Sequence, residues 1–269
     1  MDIREQKSSK LDSILKNLNS FVVAFSGGVD STFLLYRAHA IKKSAVMAIT
    51  IRTPYIPYRE IEEAIEFTSS FGIKHKVIDI AFPENIRSNP PDRCYTCKKT
   101  IFSDLLNFAE ENKYQFVVDG TNADDTSLYI PGITALKELG IRSPLLESGL
   151  TKKDVRELSR EADLDVWDKP AMACLLTRIP YDTEINEGTL KLVEEAENML
   201  LELGFPGTRV RIHGDLARIE CMPGYIEKII HNPDKEHIIS SLKKIGFRYV
   251  SLDLEGYRTG SSNPEKRKI

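Results

Sequence analysis

Three groups of residues in this chain have types and spacings that could do chemistry. The first is Ser26-Gly27-Gly28-Val29-Asp30-Ser31. Adjacent glycines let a backbone approach a ligand with no Cβ in the way. The stretch opens a helix-spaced run, TFLLYRAHAI, whose leading N–H groups favour an anion. Ser26 and Ser31 add hydroxyl donors, and Asp30 fits beside a phosphate where it orients the loop or meets a metal. The bland alternative is a glycine turn with an Asp/Ser cap. A Walker A loop is excluded, because no lysine follows the last glycine. The second group is Cys94-Tyr-Thr-Cys97, which reads as a redox pair, half a zinc site or part of an iron–sulfur site. There is no second Cys-x-x-Cys and no His-x-x-x-His, so a complete zinc finger is not available. Cys174 stands alone in KPAMACLLTRIPY and Cys221 on a predicted strand; a buried structural thiol is the plain reading of each. The third group is Arg209, Arg211 and His213, which alternate and so share one strand face. Guanidinium forks suit phosphate or carboxylate, whereas a solvated strand face would explain them without a ligand.

The elements that must carry these residues alternate. FVVAF is a continuous apolar run, as expected for a parallel strand buried on both faces. SAVMAITI, KHKVIDI and QFVVDG are further strands, separated by the helical stretches TFLLYRAHAI, REIEEAIEFTSSFG and KKTIFSDLLNFAEENK, after an amphipathic Lys7–Leu18. This order predicts a doubly wound parallel α/β sheet. Thr151 starts another helix with a capping-box pattern completed by Asp154. The stretch from Asp165 to Asn186 is too long and aperiodic for an ordinary connector and reads as a functional loop. Beyond it TLKLVEEAENMLLELG places Leu190, Val193, Ala196, Leu200 and Leu203 on one helical face. Two short strands turn near His213–Asp215, a helix follows Pro233, and FRYVSLDLEGYR is a last strand. The reading is therefore two domains, 1–168 and a smaller α+β domain 169–269, with a mobile tail GSSNPEKRKI.

Composition sets outer limits. The chain has 269 residues, 37 Lys and Arg against 40 Asp and Glu, and a net charge of −3. That balance speaks against a protein that wraps nucleic acid, since no global basic excess can displace counterions. No run approaches the roughly 20 apolar residues of a spanning helix, and the N-terminus lacks a signal-peptide core. A cytoplasmic protein without membrane or nucleic-acid partners is expected, and its four cysteines are then no disulfide framework.

The SGGVDS loop resembles the pyrophosphate-binding loop of the ATP pyrophosphatase (PP-loop) superfamily, whose members cleave ATP between the α and β phosphates. Ligands of such sheets lie beyond the C-terminal strand ends. The resemblance thus implies a nucleotide site at Ala24, Ser26, Gly27, Gly28, Asp30, Ser31, Thr50, Gly120 and Thr121. More specifically, VVAFSGGVDSTFLL, RCYTCKK, GTNADD, KPAMACLLTRIPY, RVRIHGDLARIE and LDLEGYRTG follow one another as in the LarE family. That family is of ATP-dependent sulfur transferases that thiolate the nickel-pincer nucleotide precursor. Membership implies ATP and Mg²⁺, adenylation of a carboxylate on a pyridinium-dicarboxylate mononucleotide, and displacement of AMP by sulfur.

The family uses two sulfur donors. In one branch a cysteine at the position of Cys174 gives up its own sulfur; in the other, three cysteines hold a [4Fe-4S] cluster. Cysteines at Cys94, Cys97 and Cys174 favour the cluster type, with sacrifice of Cys174 as the alternative. The resemblance also assigns Arg178 and Asp30 to the chemistry beside Cys174, and Arg209, Arg211, Glu220 and Arg258 to the substrate. It implies a homo-oligomer, a hexamer or trimer. A PP-loop tRNA thiolation enzyme, a synthetase-type amidotransferase and a non-catalytic iron–sulfur sensor are the competing classes. The first lacks its basic surface here, the second its glutaminase domain, and the third is separated by an assay of pyrophosphate release.

Overall fold

The computed structural model describes residues 2–127, 131–171 and 174–258. It divides into two compact units, Met1–Pro83 with Asp92–Lys169, and Glu84–Pro91 with Pro170–Ile269. The tail from 260 to 269, read from sequence as mobile, lies outside the described residues, as do Met172 and Ala173 of KPAMAC.

The first unit runs α1 (Ile3–Asn17), β1 (Phe21–Ala24), α2 (Val29–Lys42), β2 (Val46–Arg52), α3 (Tyr58–Ser70), β3 (His75–Asp79), α4 (Arg93–Glu111), β4 (Phe116–Val118), α5 (Pro131–Glu138), α6 (Pro144–Ser148) and α7 (Lys152–Glu161). Its sheet has the order β3-β2-β1-β4, with every pair parallel. The apolar run of β1 is buried on both faces, as its composition requires. Phe21 and Val23 pack with Leu11, Leu15, Phe33, Ala64, Leu145 and Val155 from α1, α2, α3, α6 and α7. Val22 points the other way, to Phe102, Leu105 and Leu136 of α4 and α5. Helices on both faces make this the expected doubly wound sheet. Thr151 caps α7 through the predicted reciprocal pair with Asp154. Some boundaries differ from the sequence reading: α1 starts at Ile3 and not Lys7, the last strand is confined to Tyr249–Leu252, and α4 starts at Arg93, not near Lys98, so the Cys-x-x-Cys motif is itself helical. Its polar, aperiodic opening gave no apolar stripe to detect.

The second unit runs α8 (Glu187–Glu202), β5 (Arg209–His213), β6 (Leu216–Glu220), α9 (Ile226–Ile230), α10 (Lys235–Ile245) and β7 (Tyr249–Leu252). β5 and β6 form the expected antiparallel pair, and β7 adds to β6 in parallel. α8 buries Leu190, Val193, Ala196 and Leu200, while Leu203 has passed the helix end as its C-cap. Within the long predicted loop, Leu175–Arg178 forms a tight 3₁₀ turn. No helix among the described residues is long and apolar enough to cross a membrane.

Candidate functional site

The glycine loop sits at the C-terminal end of β1, as a ligand site of a parallel sheet should. Gly27 has φ +68°, a conformation that side chains other than glycine's rarely adopt, and its missing Cβ leaves room for the Glu60 carbonyl of α3. The two serines close the loop on itself. Their Oγ atoms are 3.0 Å apart, Gly28 N–H faces Ser26 Oγ at 3.4 Å, and Ser31 Oγ donates to the Gly28 carbonyl at 3.2 Å. The first backbone N–H groups of the 14-residue α2 follow directly, with Gly28 as N-cap. Asp30 is not an isolated anion: it pairs with Lys152 and faces the Asn122 amide at 3.4 Å.

The neighbouring strand ends build the rest of the rim. Ala24 is the half-buried last residue of β1. Thr50 on β2 is buried; its hydroxyl donates to the Phe25 carbonyl at 2.7 Å and accepts from His75 Nε2 at 2.8 Å. Donation to Phe25 leaves Thr50 only its lone pairs, which places a hydrogen on Nε2. Burial lowers the His75 pKa from its ordinary value. Beyond β4, Thr121 donates to the buried Asp119. Gly120 comes so close to α2 that a Cβ there would lie 2.9 Å from Ser31 N. Asp125 follows, its carboxyl pKa raised first by burial and also by repulsion from Asp30.

Cys94 and Cys97 lie on the first turn of α4, three residues apart and so on one helix face. They are unequal: Cys94 is exposed, whereas Cys97 is partly buried with its sulfur 3.2 Å from Tyr55 Oη. Burial pushes the Cys97 thiol pKa up, against the Tyr55 hydrogen bond, which pulls it down. Tyr55 is itself buried, edge-on to Phe82. Among the described residues no group of three or more His, Cys, Asp or Glu is set to hold a metal ion. Two thiols on one turn supply soft donors of the kind an iron–sulfur site takes, and they make part of such a set.

In the second unit Cys174 leads into the Leu175–Arg178 turn, whose closing bonds run from Thr177 N and Oγ1 to the Cys174 carbonyl, at 3.0 and 2.9 Å. Arg178, 2% exposed, forks onto Glu197 of α8 at 2.7 and 2.8 Å and donates to Thr177 Oγ1 at 2.7 Å. Burial would lower its pKa, but the fork raises it, and the Cys174 sulfur adds to that. Asn89 braces the turn from below with φ +54°. Its Nδ2 faces the carbonyls of Leu176, Ile179 and Pro180 at 3.4, 3.0 and 2.8 Å.

The β5 arginines are buried, which a solvated strand face would not require. Arg209 donates to the Ala171 carbonyl and lies over the Tyr257 ring, its guanidinium 5.3 Å from the centroid. Arg211 donates to the Thr177 carbonyl and approaches Glu220 at 2.8 Å, which Arg218 also contacts. The three buried guanidinium groups Arg178, Arg209 and Arg211 are engaged by the carboxylates of Glu197 and Glu220. Arg258 is exposed and paired with Glu255. His213 is exposed at the end of β5. Sequence reasoning missed Glu197, Lys152, Lys169, Asn89 and Tyr55. Only Glu197 left a trace, as an acid beside Ala196 on the buried stripe of α8.

Residues 20–91 match a family described as the queuosine biosynthesis protein QueC. Over 96% of its length the chain is 36% identical to the pyridinium-3,5-bisthiocarboxylic acid mononucleotide synthase of Lactiplantibacillus plantarum, covering 94% of that protein. It is 39% identical to an uncharacterized protein of Synechocystis over 94% of its length and 98% of that protein's. A tRNA-specific 2-thiouridylase of Rickettsia typhi is 28% identical over 62% of the chain and 58% of that protein.

Proposed function

The chain belongs to the LarE family of sulfur-transferring mononucleotide synthases, and from that premise we propose the chemistry of its two units. It is an ATP-dependent sulfur transferase acting on a pyridinium-dicarboxylate mononucleotide. The observation that carries this reading is the similarity to the synthase along nearly the whole chain, second unit included. The rival tRNA thiolation enzymes match at lower identity and over less of the chain.

In the reaction a substrate carboxylate oxygen attacks the α phosphorus of ATP. The α–β anhydride bond breaks, and pyrophosphate leaves with the electron pair. The resulting acyl-adenylate has the good leaving group that a free carboxylate lacks. A sulfur nucleophile then bonds to the acyl carbon and AMP departs, leaving a thiocarboxylate. Gly28 leaves room for a phosphate to approach, Gly27 and Gly120 let the loop pack closely against α3 and the segment after β4, and the α2 N-terminus offers backbone donors. Asp30, held by Lys152, is our proposed carboxylate for Mg²⁺, with Asp125 nearby. Arg209 and Arg211, buried guanidinium forks on one face of β5, are our proposed holders of the substrate phosphate, with Glu220 fixing Arg211. Arg258 joins them only if its exposed pair with Glu255 is exchanged for substrate. Arg178 positions the Cys174 turn and sets a positive field at its sulfur.

For the sulfur source we propose Cys94, Cys97 and Cys174 as ligands of a [4Fe-4S] cluster. Such a cluster, when bound by three thiolates, supplies an iron without a protein ligand where a transferable sulfide can sit. The paired thiols on α4 support this over sacrifice of Cys174, which needs neither of them. A homo-oligomer completes the proposal.

The test is oxygen-free purification followed by turnover with ATP, Mg²⁺ and the carboxylated pyridinium mononucleotide. Expected are release of pyrophosphate and AMP, a product with sulfur in place of oxygen, about four irons per chain and an unchanged mass for Cys174. No pyrophosphate would refute the transferase. Pyrophosphate with loss of sulfur from Cys174 would replace the cluster by the sacrificial route.

A further inference from the structure

Lys169 is the last residue of the first unit, and its ammonium rests on the glycine loop. Nζ donates to the Gly27 carbonyl at 3.1 Å and to Glu63 Oε2 at 2.6 Å, with 16% of the side chain exposed. An ammonium has three N–H donors. The third has no partner among the described residues. Glu63 is a lasting anchor: burial would raise its pKa, but hydrogen bonds from Lys169 and Arg59 bring it below the usual carboxylate range. The Lys169 bond also fixes the Gly27–Gly28 peptide plane, and with it the direction of the Gly28 N–H. The other ammonium at the loop, Lys152, is tied to Asp30.

The SGGVDS loop carries no lysine of its own, yet a triphosphate needs cationic donors as well as backbone N–H groups. We propose that Lys169 is that cation: its third N–H bonds the β,γ-phosphates of ATP, already oriented by Gly27 and Glu63. When the α–β bond breaks, the negative charge gathering on pyrophosphate is held by this ammonium. The proposal rests on the ATP-using reading and adds to it a residue 142 positions from the loop it serves.

Binding of Mg²⁺-pyrophosphate, ATP and AMP to the full chain, measured by titration calorimetry, tests it. Lys169→Met should weaken pyrophosphate and ATP by about 10- to 100-fold, the loss of one charged hydrogen bond. AMP, which lacks those phosphates, keeps its affinity. Lys169→Gln retains a donor for Gly27 without the charge and should show the same split; Lys169→Arg should recover part of the loss. Lys153→Met removes the same charge from a side chain 84% exposed and should change nothing. Equal weakening of AMP and pyrophosphate in Lys169→Gln would make the residue structural and overturn the proposal, as would unchanged pyrophosphate binding. A wild-type chain that binds neither ATP nor pyrophosphate would instead overturn the nucleotide reading beneath it.

Discussion

Gly120→Ala is a single methyl aimed at the nucleotide loop. Its Cβ would meet Ser31 N at 2.9 Å, Ser31 Cα at 3.1 Å and Asp30 C at 3.2 Å, where ordinary contact begins at 3.4 Å. All three atoms are backbone, so no side chain can swing aside. The loop or the segment after β4 must shift by about half an ångström, and overpacking of this kind costs about 1–3 kcal/mol. A misplacement of about 1 Å at a reacting group can cost about 100-fold in rate, so half of that should cost about 10-fold. ATP-dependent pyrophosphate release and thermal unfolding of the same preparations read the two effects. Expected is a fall of about 10-fold in kcat/KM for ATP with a lowered Tm. Gly224→Ala, with nothing within 4 Å of its Cβ, should be near neutral in both. Normal kinetics and Tm in Gly120→Ala would refute the claim that contact between β4 and α2 sets the loop.

Removing charge from the second unit should be costly. Glu197→Ala leaves Arg178 buried without its counter-ion and should destabilise by about 3–5 kcal/mol in urea unfolding; a loss below about 1 kcal/mol would mean the pair is dispensable. Tyr55→Phe removes the hydroxyl facing Cys97 but keeps the ring against Phe82. Iodoacetamide labelling followed by mass spectrometry should then show an altered rate at Cys97 and an unchanged one at exposed Cys94; equal changes at both would indicate a general loosening. His75 has a folded pKa below its ordinary 6.5, so it binds fewer protons folded than unfolded. Its contribution to stability is present above pH 6.5 and is lost as pH falls toward the folded value. A histidine titration by NMR that puts His75 at or above 6.5 would contradict this.

The sheet was legible because a parallel strand buried on both faces writes a continuous apolar run, and FVVAF does so without interruption. The loop was legible because its chemistry is local: glycines, hydroxyls and a helix start lie within a few residues. Partnerships across the chain leave no such mark. Lys152 reaches Asp30 from 122 positions away, and Lys169 reaches Gly27 from 142. Each looks like an ordinary charged surface residue until the fold brings it back. Arg178 shows the reverse: its motif marked it for chemistry, and only the structure reveals Glu197 engaging its fork.

The short stretch Glu84–Pro91 is embedded in the sequence of the first unit yet folds with the second, where Asn89 braces the Cys174 turn. Neither half can therefore be excised with one cut. A fragment ending at Lys169 would carry away the brace, and a fragment starting at Pro170 would hold three carbonyls, those of Leu176, Ile179 and Pro180, stripped of the amide that caps them. Exchange of modules between relatives by a single crossover would separate the brace from its turn in the same way.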